Sequence, residues 1–403
     1  MKINVIRLCN CFNKKEIQAQ GDYFINEINN FLFESEIELA EDVDSLFSVV
    51  FIESGGVEAS FKKLCKRLPS PILLLSNSLN NSLGSALEIN SYCLQQNIPV
   101  ILLSQGAREA SEYIKDICDV IGSYNKIKNT SLGVIGEPSD WLIASNVDFP
   151  FVEKKFGISL IRIGMNELYE EISKKKIGNI PHIKSFEKKF EDHYELKKSL
   201  YVYSALKRII EKYHLSGLTI RCYDLIKEYK TTACLALGLL NEEGIVCGCE
   251  GDIPALLTMY ICSTLGQTPC FMANPSKIDL ANGTMLLAHC TCPINLLTSY
   301  KLNTHFESGL GVAIEGVLPQ GDIALIKLSN DLSHYALLHG TVVLNKQQVG
   351  YCRTQLTVEI EKDELFNYLT IPTGNHLIVT YGNISHKFAA LITFINSSFY
   401  DKK

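Results

Sequence analysis

Residues 246–292, VCGCEGDIPALLTMYICSTLGQTPCFMANPSKIDLANGTMLLAHCTC, carry the stretch around which the chain is organised. A short apolar, β-branched run, Gly244-Ile245-Val246, leads into it as a strand. Glu250 and Asp252 then stand on a tight turn around Gly251. Apolar residues at Ala255, Leu256, Met259, Ile261 and Cys262 predict a helix over 254–265. Pro254 suits its first turn, where a backbone N–H would lack a partner anyway, and Asp252 is placed to cap it. A second strand, 270–272, is expected to end at Asn274-Pro275, and a third, 284–288, at His289. Polar groups thus emerge at the ends of buried elements, where open α/β sheets keep their chemistry. The stretch reads as a site.

Outward from it, the first 125 residues alternate strand and helix signals. Strands are expected at 2–8, 46–53, 71–77 and 98–104, and three of them are near-continuous apolar runs, as in sheets covered on both faces. Helices are expected at 21–33, 59–67, 84–96 and 108–121, an alternation that implies a parallel, doubly wound sheet. The loops after these strands carry Ser54-Gly55-Gly56 and the run 77–85, read as tight turns or as part of a substrate rim. No G-x-G-x-x-G follows a strand, so a dinucleotide fingerprint is absent. The hydrophilic run 125–130 marks a joint. A second α/β unit follows, with strands at 131–135, 158–163 and 218–221 and charged helices over 176–214. Beyond 292, short alternating runs at 311–314, 322–328, 335–344, 355–360 and 376–381 suggest an antiparallel sheet or small barrel. The last run, 385–399, is helical in period and is expected to dock on that sheet. The expectation is α/β: two Rossmann-like domains, 1–125 and 126–266, followed by a mainly antiparallel β domain, 267–403.

Composition bounds the function. A net charge of −6, with no basic cluster, argues against a nucleic-acid partner, and the lysine-rich runs near 174–176 and 184–198 read as solvated helix faces. No apolar run reaches the ~18–20 residues needed to span a bilayer. The start, MKINVIRLCNCFNKK, reads as a first strand and not as a signal peptide, so a cytoplasmic protein is expected. Fourteen cysteines then read as reduced thiols. Cys247-x-Cys249 and His289-Cys290-x-Cys292 lack the usual zinc spacing, and alternate strand residues share a face without binding anything.

The Glu-Gly-Asp turn, the helix after it and the Phe-Met-Ala-Asn segment ending at Asn274 resemble the core of the L-fucose/L-arabinose isomerases. The resemblance is clear over 216–292 and partial beyond. It implies aldose–ketose isomerisation with one divalent metal, typically manganese, and a homotrimer or hexamer. Glu250 matches the family's metal-binding glutamate. Asn274 occupies the position of a fucose-type metal-binding aspartate that also works as an acid/base group. His289 fits the arabinose-type metal-binding histidine. Gly374-Asn375-His376-Leu377-Ile378-Val379 resembles the segment of the last fucose-type metal ligand, here His376.

Oxygen ligands with an imidazole favour Mn²⁺ or Mg²⁺. Such a cation chelates the oxygens of an open-chain sugar, and a carboxylate moves a proton through an enediol. Glu250 is the expected base, with Asp252 as a second catalytic group. Glu250, Asn274 and His376 form the expected metal set. Asn274 cannot shuttle protons at neutral pH, so Asp252, Glu307, His289 or His305 would replace it. Expected substrate contacts are His289, His305, Glu307, Arg221 and Trp141, the last being the single tryptophan. His305 and Glu307, two apart, would share a strand face; Arg221 with Asp224 reads equally as a local ion pair. Two alternatives stay open: a catalytically degenerate sugar-binding homologue, and a metal-assisted proton-transfer enzyme acting on a modified sugar.

Overall fold

A computed structural model describes residues 1–10, 13–45, 47–69, 71–180, 182–382 and 384–400. The chain forms two compact units, one of residues 1–124 with the C-terminal helix from His386, the other of Asn125–Ser385.

The first unit is a five-stranded parallel sheet: β1 (Lys2–Leu8), β2 (Glu38–Ala40), β3 (Ser48–Ile52), β4 (Ile72–Ser76) and β5 (Val100–Leu103), in the order β2-β1-β3-β4-β5. β3 and β4 are buried along their whole length, which is why they are apolar without alternation. Val50, Ile52 and Leu74 pack with Phe61, Ile89 and Cys93 from the covering helices. The short edge strand β2 has no sequence signal of its own, and Leu46, expected to open β3, lies outside the described residues. The helix Ser385–Tyr400 belongs here and not on the barrel as expected: Lys387 pairs with Asp119 at 2.7 Å, and Phe394 meets Tyr124 ring to ring at 5.1 Å. Periodicity marks which side of such a helix is apolar, not what receives it. The expected joint at 125–130 is partly helical, because the helix Ala107–Ile127 runs through it.

The second unit holds a four-stranded parallel sheet and a barrel. The sheet contains β6 (Thr130–Ile135), β7 (Ile158–Ile163), β8 (Gly217–Ile220) and β9 (Val246–Gly248), ordered β7-β6-β8-β9. After β9 comes the helix Ile253–Gly266, which is apolar all round and accordingly buried. It packs on the sheet at one side and on the barrel at the other. The chain then makes β10 (Phe271–Asp279) and β11 (Thr284–His289), a ribbon of β12 (Ser299–Asn303) and β13 (Ala313–Val317), then β14 (Gly321–Leu328), β15 (Tyr335–Leu344), β16 (Thr354–Ile360) and β17 (Leu377–Tyr381). Strands β10-β11-β16-β15-β14-β17 close into an antiparallel barrel around Phe271, Leu287, Leu325, Leu356 and Val379. β10 does not stop at Asn274-Pro275. It continues to Asp279 with a register shift between Pro275 and Lys277, as an X-Pro step in a strand requires. Asn274 therefore stands within a strand, paired with Ala288. Among the described residues no helix is long and apolar enough to cross a membrane.

Candidate functional site

The turn after β9 is built tightly. Glu250 and Gly251 both take left-handed backbone conformations, φ +60° and +72°. A side chain on Gly251 would meet the Glu137 carbonyl oxygen at 2.7 Å and Pro138 Cα at 2.8 Å, so only glycine lets that loop approach. Ser139 N–H donates to the Glu250 carbonyl at 2.8 Å, and Arg221 reaches the Pro138 carbonyl and Asp140. This loop delivers Trp141, whose indole N–H donates to Glu250 Oε2 at 2.6 Å.

Asp252 caps the following helix, accepting from Ala255 N–H at 2.8 Å. It also accepts from Lys327 Nζ of β14 at 2.7 and 2.8 Å and lies 2.8 Å from His376 Nδ1. Lys327, Asp252 and His376 are all essentially inaccessible. That arrangement points His376 Nε2 toward Glu250 Oε1, 3.6 Å away, inside ion-pair reach but too long for a hydrogen bond. His376 is itself left-handed, φ +61°. Two convergent polar residues thus hold backbone conformations costing about 1–2 kcal/mol each, the kind of strain that persists at functional sites.

His289, at the end of β11, completes the group. Its ring lies 5.6 Å from that of His376, and its Nδ1 is 3.0 Å from Thr291 Oγ1. Among the described residues, Glu250, His289 and His376 are the one set of His, Cys, Asp or Glu side chains placed to share a metal ion, their donor atoms lying within 4.8 Å of one another. Two atoms fit that ion further. His376 Nε2 and Asn274 Oδ1 are buried without a hydrogen-bond partner, a condition that ordinarily costs about 1–3 kcal/mol. Asn274 lines the same small cavity as Glu250 and His289, together with Tyr223, His305 and Glu307.

Charge follows from this geometry. Burial opposes ionisation of Glu250, but His376, His289 and the Trp141 N–H outweigh it and hold the carboxyl down at about 2. Asp252 is likewise held at about 2, burial being overcome by Lys327 and His376. His289 is pushed down to about 4 by burial and by the charge of His376. His376 is raised despite burial, because Asp252 and Glu250 both favour its cation.

Several expected residues sit elsewhere than foreseen. Asp252 does not line the cavity; it lies behind His376. Arg221 makes the local ion pairs with Asp140 and Asp224, and its guanidinium braces the Trp141 loop instead of facing the cavity. His305 and Glu307 reach the cavity from a turn after β12, not from a strand, with His305 Nδ1 3.0 Å from Ser308 Oγ. Trp141 stands edge-on to Tyr223 at 4.7 Å. Lys327 and Tyr223 were not foreseen; for Lys327 the signal was a lysine inside the apolar strand Gly321–Leu328. Thiols also wall the cavity. Cys222 and Cys249 lie 3.0 Å apart, and Cys234, Cys290 and Cys352 cluster beside them.

No protein-family model matches the chain. It is similar to sulfoquinovose isomerases. The chain is 26% identical over 281 residues to that of Alkalicoccus urumqiensis, covering 65% of this chain and 61% of the relative. To that of Priestia aryabhattai it is 22% identical over 298 residues, 70% and 66% of the two lengths. A sulfoquinovose isomerase of a Clostridium species is 26% identical over 202 residues, 47% and 45% of the two lengths. The chain thus spans less than two thirds of the length of each of these relatives.

Proposed function

We propose that this protein is a metal-dependent aldose–ketose isomerase, with sulfoquinovose, a sulfonated aldohexose, as the first substrate to test. The observation that carries the reading is the meeting of Glu250, His289 and His376, with the partnerless His376 Nε2 and Asn274 Oδ1 beside them. The similarity to sulfoquinovose isomerases supports the reaction type. Two imidazoles, a carboxylate and an amide oxygen would hold a divalent cation. The oxygen donors are compatible with Mn²⁺ or Mg²⁺, and Mn²⁺ is the first cation to test.

Such a cation supplies polarisation of the sugar carbonyl and of the adjacent hydroxyl. The residues do the rest. Glu250 removes the proton from C2 of the open-chain aldose and returns it to C1 after an enediol forms. Trp141 holds Glu250 Oε2, leaving Oε1 on the His376 side. Asp252 and Lys327 fix the His376 ring and its tautomer from behind, as carboxylate partners of ligand histidines do. Assembly as a homotrimer or hexamer belongs to the same proposal.

Incubation with sulfoquinovose and Mn²⁺, followed by NMR, should show the ketose. Glu250→Gln should abolish this turnover and the Mn²⁺-dependent change in Trp141 fluorescence. A Glu250→Gln variant that turns over normally would sink the assignment. Asn274 favours a second reading, a sugar-binding homologue without turnover: Mn²⁺ and sugar would then bind with no ketose formed.

A further inference from the structure

We infer that Tyr223 and Glu307 form the proton relay between the two sugar oxygens, the work for which Asn274 is unsuited. This rests on the isomerase reading above. Aldose–ketose conversion moves two hydrogens: one from C2 to C1, assigned to Glu250, and one from O2 to O1. The second transfer needs a group that accepts at O2 and one that donates at O1.

Among the carboxyl, imidazole, amide and phenol groups considered for this task, one pair suits it. Asn274 has no ionisable proton. Asp252 is sealed behind His376 with Lys327. His289 belongs to the candidate metal group, and His305 Nδ1 is tied to Ser308. Tyr223 and Glu307 both line the cavity, and the Tyr223 hydroxyl already donates to Glu307 Oε2. Trp141 and His305 flank the Tyr223 ring, each edge-on, at 4.7 and 5.8 Å. Tyr223 is kept protonated by burial and by the neighbouring Glu307 carboxylate.

The balance closes without an outside reagent. The Glu307 carboxylate takes the O2 proton while the Tyr223 hydroxyl gives its proton to O1. The protonated Glu307 then returns a proton to the Tyr223 oxygen, and both groups end as they began. A sugar entering the cavity inserts its oxygens between the two, replacing the hydrogen bond seen here with one to each.

The test uses the full chain with Mn²⁺ and sulfoquinovose, comparing wild type with Glu307→Gln, Tyr223→Phe and the double variant. Glu307→Gln keeps an acceptor for the Tyr223 hydroxyl, so its effect separates proton transfer from packing. Each single variant should lose about 10²–10⁴-fold in kcat, the range of a general acid–base group, with KM within about threefold of wild type. The double variant should be no slower than the worse single one, since the pair acts as a unit. Mn²⁺ titration followed by Trp141 fluorescence should be unchanged. Turnover within threefold of wild type in both single variants overturns the relay while leaving the isomerase reading intact. Loss of Mn²⁺ binding in Glu307→Gln also overturns it, showing a structural role. Wild type that converts neither sulfoquinovose nor any aldose of a pentose and hexose panel overturns both readings.

Discussion

At position 274 an amide stands where a carboxylate would be expected from the resemblance, and its oxygen is buried without a partner. An amide oxygen is a neutral donor, so the proposed metal set carries one negative charge, that of Glu250. Asn274→Asp adds a second. That variant should bind Mn²⁺ about tenfold more tightly, equivalent to about 1.4 kcal/mol, as read by Trp141 fluorescence. Unchanged or weaker binding would show that the 274 side chain does not face the ion. The resemblance offers His289 as an arabinose-type metal ligand as well as a substrate contact, and the structure sets it beside Glu250 and His376. Its residue type was legible; its neighbours were not, because 87 residues separate it from His376 along the chain.

The turn after β9 and the strand β14 meet through one ion pair, Lys327 with Asp252, and neither side chain reaches solvent. Removing one partner of such a pair leaves a buried charge uncompensated. Lys327→Met should therefore lower the free energy of unfolding by about 3–5 kcal/mol in urea denaturation. It should also weaken Mn²⁺ binding about 10–100-fold, because His376 loses the support that orients it. Lys327→Met combined with Asp252→Asn should recover part of the stability. At the same turn, Gly251→Ala forces a Cβ against Glu137 and Pro138 in a left-handed conformation. A stability loss of about 1–2 kcal/mol or more is expected, with a shift in Trp141 emission as its loop is pushed away. An unshifted melting temperature would contradict the tight approach. The helix between these elements was legible down to its Asp252 cap. The turn that carries His305 and Glu307 was not, because a His-x-Glu spacing fits a strand equally well.

Across the whole molecule, the buried ionisable groups set the direction of its pH response. Folding lowers the Glu250 and Asp252 carboxyls from 4.5 and 3.8 to about 2. Their contribution is present above the unfolded values and is lost as pH falls toward 2. His289 is lowered from 6.5 to about 4, so between those values the unfolded chain binds a proton the folded one refuses. His376, raised by folding, acts oppositely: it stabilises below 6.5, and that contribution fades as pH rises through its folded value. Metal-free protein should thus lose stability on acidification from about pH 6.5 to 4 through His289, then further toward 2 through the carboxylates. His289→Gln should flatten the first part of this profile. Denaturant midpoints measured from pH 7 to pH 3 would check both statements.

The amino-acid order by itself determined the layered scaffold: apolar runs without alternation for the covered parallel sheets, alternating runs for the barrel, and a capped, wholly apolar helix between them. Those are local patterns, set by which faces must leave water. Its resemblance to the L-fucose/L-arabinose isomerases also singled out Glu250 and His376 as candidate metal ligands. Tertiary structure alone decided that Asp252 supports instead of lining the cavity, that Lys327 neutralises it, and that Tyr223 meets Glu307. It likewise placed the C-terminal helix with the first unit and not on the barrel. Each of these is a long-range pairing, and charge or hydrogen-bond partners distant in the chain leave no periodic trace in it.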